Sequence, residues 1–186
     1  MASTSPRRKE LLRLTGLNFR IVPSEYEEEM NSARPPRSLA RHLSLQKAKS
    51  VAENNRNAVV IAADTFIVLG NKLLGKPHTE REALRMLGLL SGRPHSVITG
   101  FAVIDTSTGK RVARSVETKV YFRRLTRKEI LSYVRTGEPL DKAGGYAIQG
   151  LGGLLVKRIE GDYFNVIGLP LSALLSVLRQ FGIRVL

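Results

Sequence analysis

Ala58-Val59-Val60-Ile61-Ala62-Ala63 constrains the fold of this chain more than any other stretch. Six apolar residues follow one another and stop at Asp64-Thr65. A continuous run of this kind reads as a strand buried on both faces. In open α/β sheets ligands collect outside the carboxyl ends of such strands. The pattern therefore predicts a strand that closes at Asp64, with that acid at the functional edge. Taken alone, an acid in this position reads as the start of a turn.

The chain has 186 residues, enough for one domain with a proper core. No apolar stretch approaches the roughly 18 residues of a membrane span. Met1-Ala2-Ser3-Thr4-Ser5-Pro6 lacks the apolar segment of a signal peptide. The absence of cysteine excludes disulfides and thiolate metal sites, and fits a cytoplasmic protein. Thirty Lys and Arg against 16 Asp and Glu give a net charge of +14, which favours an anionic partner. With 6% aromatic residues and no Trp, stacking platforms for single strands are poorly supplied.

Ser5-Pro6-Arg7-Arg8 opens a short helix, with Ser5 as N-cap and Pro6 in the first turn. Arg7 and Arg8 then sit at the positive end of the helix dipole, where cations are disfavoured unless an anion binds there. The Ser5 hydroxyl, free N–H groups and guanidinium groups together suit a phosphate; the alternative is two solvated arginines. Phe19 to Val22 reads as a short strand. Glu25-Tyr26-Glu27-Glu28-Glu29 is the densest acidic run, either a solvated loop or a place for a divalent cation.

A helix is expected from Ser38 to about Asn54. Leu39, Leu43 and Val51 share one face, and Lys47 fills the gap in that stripe, either snorkelling to the edge or pointing to a phosphate. Gly70-Asn71 marks a hairpin between Phe66–Leu69 and Lys72–Leu74. Thr79 to Glu82 and Thr126 to Glu129 are capping boxes that open helices. Strands are expected over Ser96–Asp105, Arg111–Phe122 and Leu154–Val156, and a last helix from about Pro170. The segment 136–150 is rich in Gly and charge and reads as a site-bearing loop. Alternating strands and helices with two hairpins indicate an α/β fold with a mixed sheet. His42, His78 and His95 are dispersed, with no metal-ligand spacing. Walker A and GxGxxG sequences are absent.

Several blocks in order resemble the Maf-like nucleotide pyrophosphatases. They are Ser3-Thr4-Ser5-Pro6-Arg7-Arg8, Lys47-Ala48, Ala63-Asp64-Thr65, Gly75-Lys76-Pro77, Leu90-Ser91-Gly92-Arg93-Pro94-His95, Glu138 to Gly150 and Gly161 to Pro170. The resemblance implies a fold like that of inosine-triphosphate pyrophosphatases: an elongated mixed β-sheet with flanking helices and two lobes around a central cleft, with residues 1–186 as a single domain. It implies a hydrolase that converts a nucleoside triphosphate to the monophosphate and pyrophosphate with a divalent cation, Mg²⁺ or Mn²⁺. Asp64-Thr65 with Gln149 matches the branch acting on dTTP and UTP, a house-cleaning activity on non-canonical or excess nucleotides. The 7-methyl-GTP branch typically has Asp-Gln at the Asp64-Thr65 position.

On this resemblance Asp64 is the proton acceptor, and Arg7, Thr65 and Gln149 set the base preference. The chemistry of a triphosphate makes Arg8, Lys47 and Lys76, beside the helix N-terminus at Ser5, the candidates to hold phosphate oxygens; Glu28 resembles the family's acidic loop position and, with Asp64, is the candidate metal ligand. Whether Asp64 takes the proton directly or acts through the metal stays open. A homodimer is implied by resemblance alone. The family usually carries an opening strand before the Ala2-Ser3 position. Here only Met1 precedes it, which predicts either a shortened start or a stub of a strand. The alternatives are a non-enzymatic regulator of septum formation and, on charge alone, a nucleic-acid binder.

Overall fold

In the computed structural model, which describes residues 1–26 and 34–185, the apolar run opens a strand longer than the sequence suggests. Strand β1 spans Val59–Leu69 without a break. Asp64 lies inside it, not at its carboxyl end. Nothing between Ala63 and Phe66 breaks a strand, and burial resumes at Phe66 and Ile67 on the far side of Asp64-Thr65. The expectation that Asp64 closes the strand, or begins a turn, is therefore overturned.

β1 turns at Gly70-Asn71 into β2, Lys72–Leu74, and pairs with it antiparallel, Leu69 opposite Lys72. Two strands of 12 residues follow, β3 over Pro94–Asp105 and β4 over Arg111–Phe122. β5, Val156–Glu160, pairs antiparallel with β4. The sheet order is β2-β1-β3-β4-β5. One isolated parallel bridge, outside the strands of the sheet, joins Ala2 to Ala62; the sheet itself is antiparallel rather than mixed, and with its flanking helices it gives the α/β class expected.

The chain forms two compact units. The first comprises Met1–Thr65, Thr99–Val116 and Gly168–Leu186; the second comprises Phe66–Ile98 and Glu117–Ile167. β1, β3 and β4 each contribute residues to both. In the first unit, Ala2, Ala48, Val51, Val60, Ala62, Ala102 and Ile104 form one apolar cluster. Helix α1 covers Pro6–Arg13 and helix α2 covers Pro36–Ala52. α2 approaches β3 so closely that a Cβ on Gly100 would lie 1.9 Å from the Ala40 carbonyl oxygen. In the second unit, α3 (Glu80–Leu90) buries Ala83, Leu87 and Leu90, and α4 (Arg127–Val134) buries Ile130, Tyr133 and Val134, against Val97, Val120, Phe122 and Tyr146. α5, Tyr163–Ile167, belongs to the second unit, and α6, Leu171–Arg179, to the first.

Four local expectations change. Phe19 to Val22 forms no strand. Among the described residues its backbone links are the Val22 amide donating to the Met1 carbonyl and the Met1 ammonium donating to the Arg20 carbonyl, too few to build a ladder. Leu154 and Leu155 belong to a 3₁₀ turn, Leu151–Leu155, because Gly150, Gly152 and Gly153 favour a tight turn over a ladder; the strand starts at Val156. The Thr126–Glu129 capping box is complete. At Thr79 only half of one forms: the Thr79 hydroxyl accepts from the Glu82 amide, but Glu82 accepts from the His78 amide instead of the cap residue. Lastly, the 136–150 segment contains 3₁₀ turns at Glu138–Asp141 and Ala143–Gly145, and Tyr146 is part of the core.

Candidate functional site

In the first unit the sequence places Ser5 just ahead of α1, Lys47 on α2 and Asp64-Thr65 on β1. The Ser5 hydroxyl caps α1 by accepting from the Arg8 amide at 3.5 Å. Leu11 and Leu12 bury the other face of the helix and fix its orientation. Arg8 then reaches into a network of protein oxygens. Its Nε donates to the Gly168 carbonyl at 2.9 Å, its Nη2 to Thr65 Oγ1 at 2.9 Å and its Nη1 to Ser3 Oγ at 3.4 Å. Thr65 Oγ1 also lies 3.0 Å from Thr99 Oγ1. The guanidinium is thus held in place by two segments distant in sequence and by Ser3 just ahead of its own helix, the arrangement that turns a flexible cation into a fixed one.

Gly168 has a backbone reason to be glycine. Its φ is +122°, and a Cβ there would come 3.3 Å from Thr65 Oγ1 and 3.5 Å from Arg8 Nε. The carbonyl that anchors Arg8 is available at this distance because no side chain intervenes.

Asp64 is 5% exposed. Lys47 Nζ donates to its Oδ1 at 2.5 Å. The ammonium leaves the apolar stripe of α2 toward a buried carboxylate rather than toward open solvent. Leu39, Leu43, Ala48 and Val51 are buried and hold the helix in the register that aims it. A carboxylate so placed can accept a proton from water, and the ammonium beside it offers charge to an anion. Arg7, next to Arg8 on α1, is half-buried.

The remaining described candidates lie in the second unit. Lys76 follows β2 and is exposed. Gln149 is exposed on the loop before the Leu151–Leu155 turn. That loop is braced by Glu138, whose carboxylate accepts from Tyr133 Oη, the Leu151 amide and the Gly152 amide. Partial burial pushes the Glu138 pKa up, but the bonds from Gly152, Tyr133 and Leu151 outweigh it and hold the carboxyl below its ordinary range. His95 is buried against Tyr146, Nε2 to Oη at 2.9 Å, with Phe122 edge-on to both rings. Burial lowers the His95 pKa to about 4, outweighing a backbone contact with Arg93 that raises it.

Glu28 lies outside the described residues. Among the described residues no three His, Asp or Glu side chains gather as a metal cage. Asp64 supplies one hard, charged oxygen donor. One carboxylate completed by substrate phosphate oxygens is a donor set that a divalent cation can take, and Asp64, whose Oδ1 accepts from Lys47, is the described residue that would supply it.

Sequence reasoning missed Ser3, Thr99 and the Gly168 carbonyl as partners of Arg8 and Thr65, and missed Glu138 and Tyr133 as the brace of the Gln149 loop. Thr99 sits fully buried within an apolar strand, and a hydroxyl there was the available signal.

A family model described as Maf-like protein matches residues 1–181. A dTTP/UTP pyrophosphatase from Desulforamulus reducens is 48% identical over 185 residues, covering all of this chain and 97% of that protein. A dTTP/UTP pyrophosphatase from Bacillus cereus is 49% identical over 185 residues, covering all of this chain and 96% of its own. A solved nucleoside-triphosphatase / dITP/XTP pyrophosphatase from Mycobacterium abscessus aligns over 67% of this chain and 73% of its own, at 15% identity and a TM-score of 0.41. The chain belongs to the Maf-like protein family.

Proposed function

We propose that this chain hydrolyses dTTP and UTP to the nucleoside monophosphate and pyrophosphate. The observation that carries the reading is near-half identity, end to end, with relatives named for that activity. The site described above gives it a chemistry. A water attacks the α-phosphorus, its oxygen forms the new P–O bond, and the bond to the bridging oxygen breaks with pyrophosphate as leaving group. Asp64 accepts the proton the water gives up. Lys47, Arg8 and Lys76 hold phosphate oxygens, assisted by the α1 N-terminus at Ser5. Arg7, Thr65 and Gln149 select the base; the Gln149 amide offers both a donor and an acceptor to a pyrimidine edge. Asp64, with help from Glu28, would hold a divalent cation, which would neutralise charge on the phosphates.

On the same family reading residues 1–186 act as a single functional domain, the enzyme is cytoplasmic, and it forms a homodimer. Among the described residues no helix is long and apolar enough to cross a membrane.

The test is a panel of nucleoside triphosphates with Mg²⁺, assayed for pyrophosphate. dTTP and UTP should yield pyrophosphate stoichiometric with monophosphate. Release of orthophosphate alone, or no turnover on any triphosphate, refutes the reading. Asp64→Asn should lose at least about 100-fold in kcat, at the low end of what a positioned base supplies, with nucleotide binding retained. Full turnover in that variant removes Asp64 from the chemistry.

A further inference from the structure

We propose that Glu138 and Tyr133 are positioning residues that set base discrimination by fixing the backbone of the loop that carries Gln149. The inference rests on the reading of Gln149 as the side chain that meets the base. Gln149 itself is exposed. An exposed amide discriminates between bases only if its backbone cannot follow the ligand, because a loop that adapts satisfies the wrong edge as well as the right one.

The loop is pinned on both sides of Gln149. Two residues before it, the Ala147 amide donates to Tyr133 Oη at 3.3 Å. Two and three residues after it, the Leu151 amide donates to Glu138 Oε2 at 3.1 Å and the Gly152 amide to Glu138 Oε1 at 3.0 Å. Tyr133 Oη donates to Glu138 Oε1 at 2.7 Å, which ties the two pins into one clamp. Within the loop, the Gly150 amide donates to the Ala147 carbonyl at 3.2 Å.

The fit leaves no slack. A Cβ on Gly150 would lie 2.4 Å from Glu138 Oε2, and one on Gly152 would lie 2.6 Å from Tyr133 Oη and 2.7 Å from the Ala147 carbonyl oxygen. The glycines let carboxylate and phenol press directly on the loop backbone. Tyr133 is 5% exposed, buried in the core cluster, so the clamp is anchored to the interior of its unit. Glu138→Gln keeps the size but turns an amide donor toward one of the backbone donors. Tyr133→Phe removes the hydroxyl that joins the pins. Both act through Gln149.

The experiment compares kcat and KM for dTTP and dCTP in Glu138→Gln, Tyr133→Phe, Gln149→Ala and the double variant Glu138→Gln/Gln149→Ala, each checked for a cooperative melt. Either clamp variant should lower the preference for dTTP over dCTP by about tenfold, mostly through KM for dTTP, with kcat within about twofold. Gln149→Ala should lower the preference too, and Glu138→Gln should lower it no further in that background. An equal loss on both nucleotides with the preference intact in both clamp variants, while Gln149→Ala shifts it, overturns the clamp and leaves the Gln149 reading standing. An unchanged preference in Gln149→Ala overturns the Gln149 reading, and the clamp falls with it. If Glu138→Gln does not melt cooperatively, Tyr133→Phe decides by the same criteria.

Discussion

Asp64 and Lys47 form the contact on which the proposed chemistry depends, and it is a buried one: the side chains are 8% and 12% exposed. Breaking a buried pair from one side typically costs about 3–5 kcal/mol. Lys47→Met should therefore destabilise the protein by about 3 kcal/mol in urea unfolding, and Asp64→Asn in the same background should recover part of that loss. A cost below about 1 kcal/mol would mean that solvent already screens the pair. His95 gives a second prediction, on pH. It is neutral when folded, with a pKa of about 4 set mainly by burial, against 6.5 in the unfolded chain. Its contribution is intact above pH 6.5 and is lost as the pH falls toward 4, because the unfolded state takes up the proton first. The loss amounts to about 3 kcal/mol over that window. His95→Phe should flatten the fall in Tm between pH 7 and pH 4.5; an equally steep fall would place the acid sensitivity elsewhere. The two residues were unequally legible. The sequence offered Lys47 as a break in an apolar stripe, which named the residue but not its direction. His95 sat in a recognisable block with nothing to say that Tyr146, 51 positions away, is its partner.

At the scale of elements, hydrophobic pattern and punctuation located most of the chain. The Gly70-Asn71 hairpin, the Thr126 capping box and the α2 stripe were all readable, because each is encoded within a few neighbouring residues. Failures came where partners are distant. Phe19 to Val22 has strand composition, but among the described residues its backbone bonds join it to Met1 and to no strand. Asp64 and Thr65 looked like a strand end because they are polar; their partners Lys47, Arg8 and Thr99 make polar residues tolerable mid-strand, and none is local. Gly100 illustrates the same limit. In sequence it is a glycine in an apolar strand, which suggests a bulge or a close approach without saying to what. The structure answers with α2, whose Ala40 carbonyl carbon and oxygen would lie 2.1 and 1.9 Å from an added Cβ. Both are backbone atoms, so no rotamer change relieves the overlap. Gly100→Ala should cost about 3 kcal/mol or more by moving α2 off the strand. Because α2 carries Lys47, turnover should fall beyond what the loss of folded protein explains. A variant with wild-type stability would show that the helix shifts at little cost.

Across the whole molecule, the division into two units was not visible in the chain's periodicity, since β1, β3 and β4 each run from one unit into the other and no linker marks a boundary. Charge, by contrast, was visible from the outset, and its use is mixed. A groove of about 890 Å³ in the second unit is lined by Arg93, Arg123, Arg124 and Lys157, beside Gly88 and Ser91 at the carboxyl end of α3. Cations suit that end of a helix dipole, and Arg123 donates to Glu129 and to the Leu154 carbonyl, so Arg123 has structural work of its own. Such local roles do not remove the long-range field of a +14 chain, which draws a triphosphate inward over distances comparable to the Debye length, about 10 Å at 0.1 M salt and about 3 Å at 1 M. Steering acts on encounter, so raising KCl from about 0.05 M to about 0.5 M should lower kcat/KM for dTTP several-fold and leave kcat nearly unchanged. A parallel fall in kcat would locate the salt effect in the bound complex, at the phosphate ligands. The same titration separates the enzyme from the nucleic-acid binder that charge alone suggests. Duplex DNA should inhibit turnover only at low salt, and inhibition that persists near 0.15 M, roughly physiological ionic strength, would assign the basic surface to a polymer.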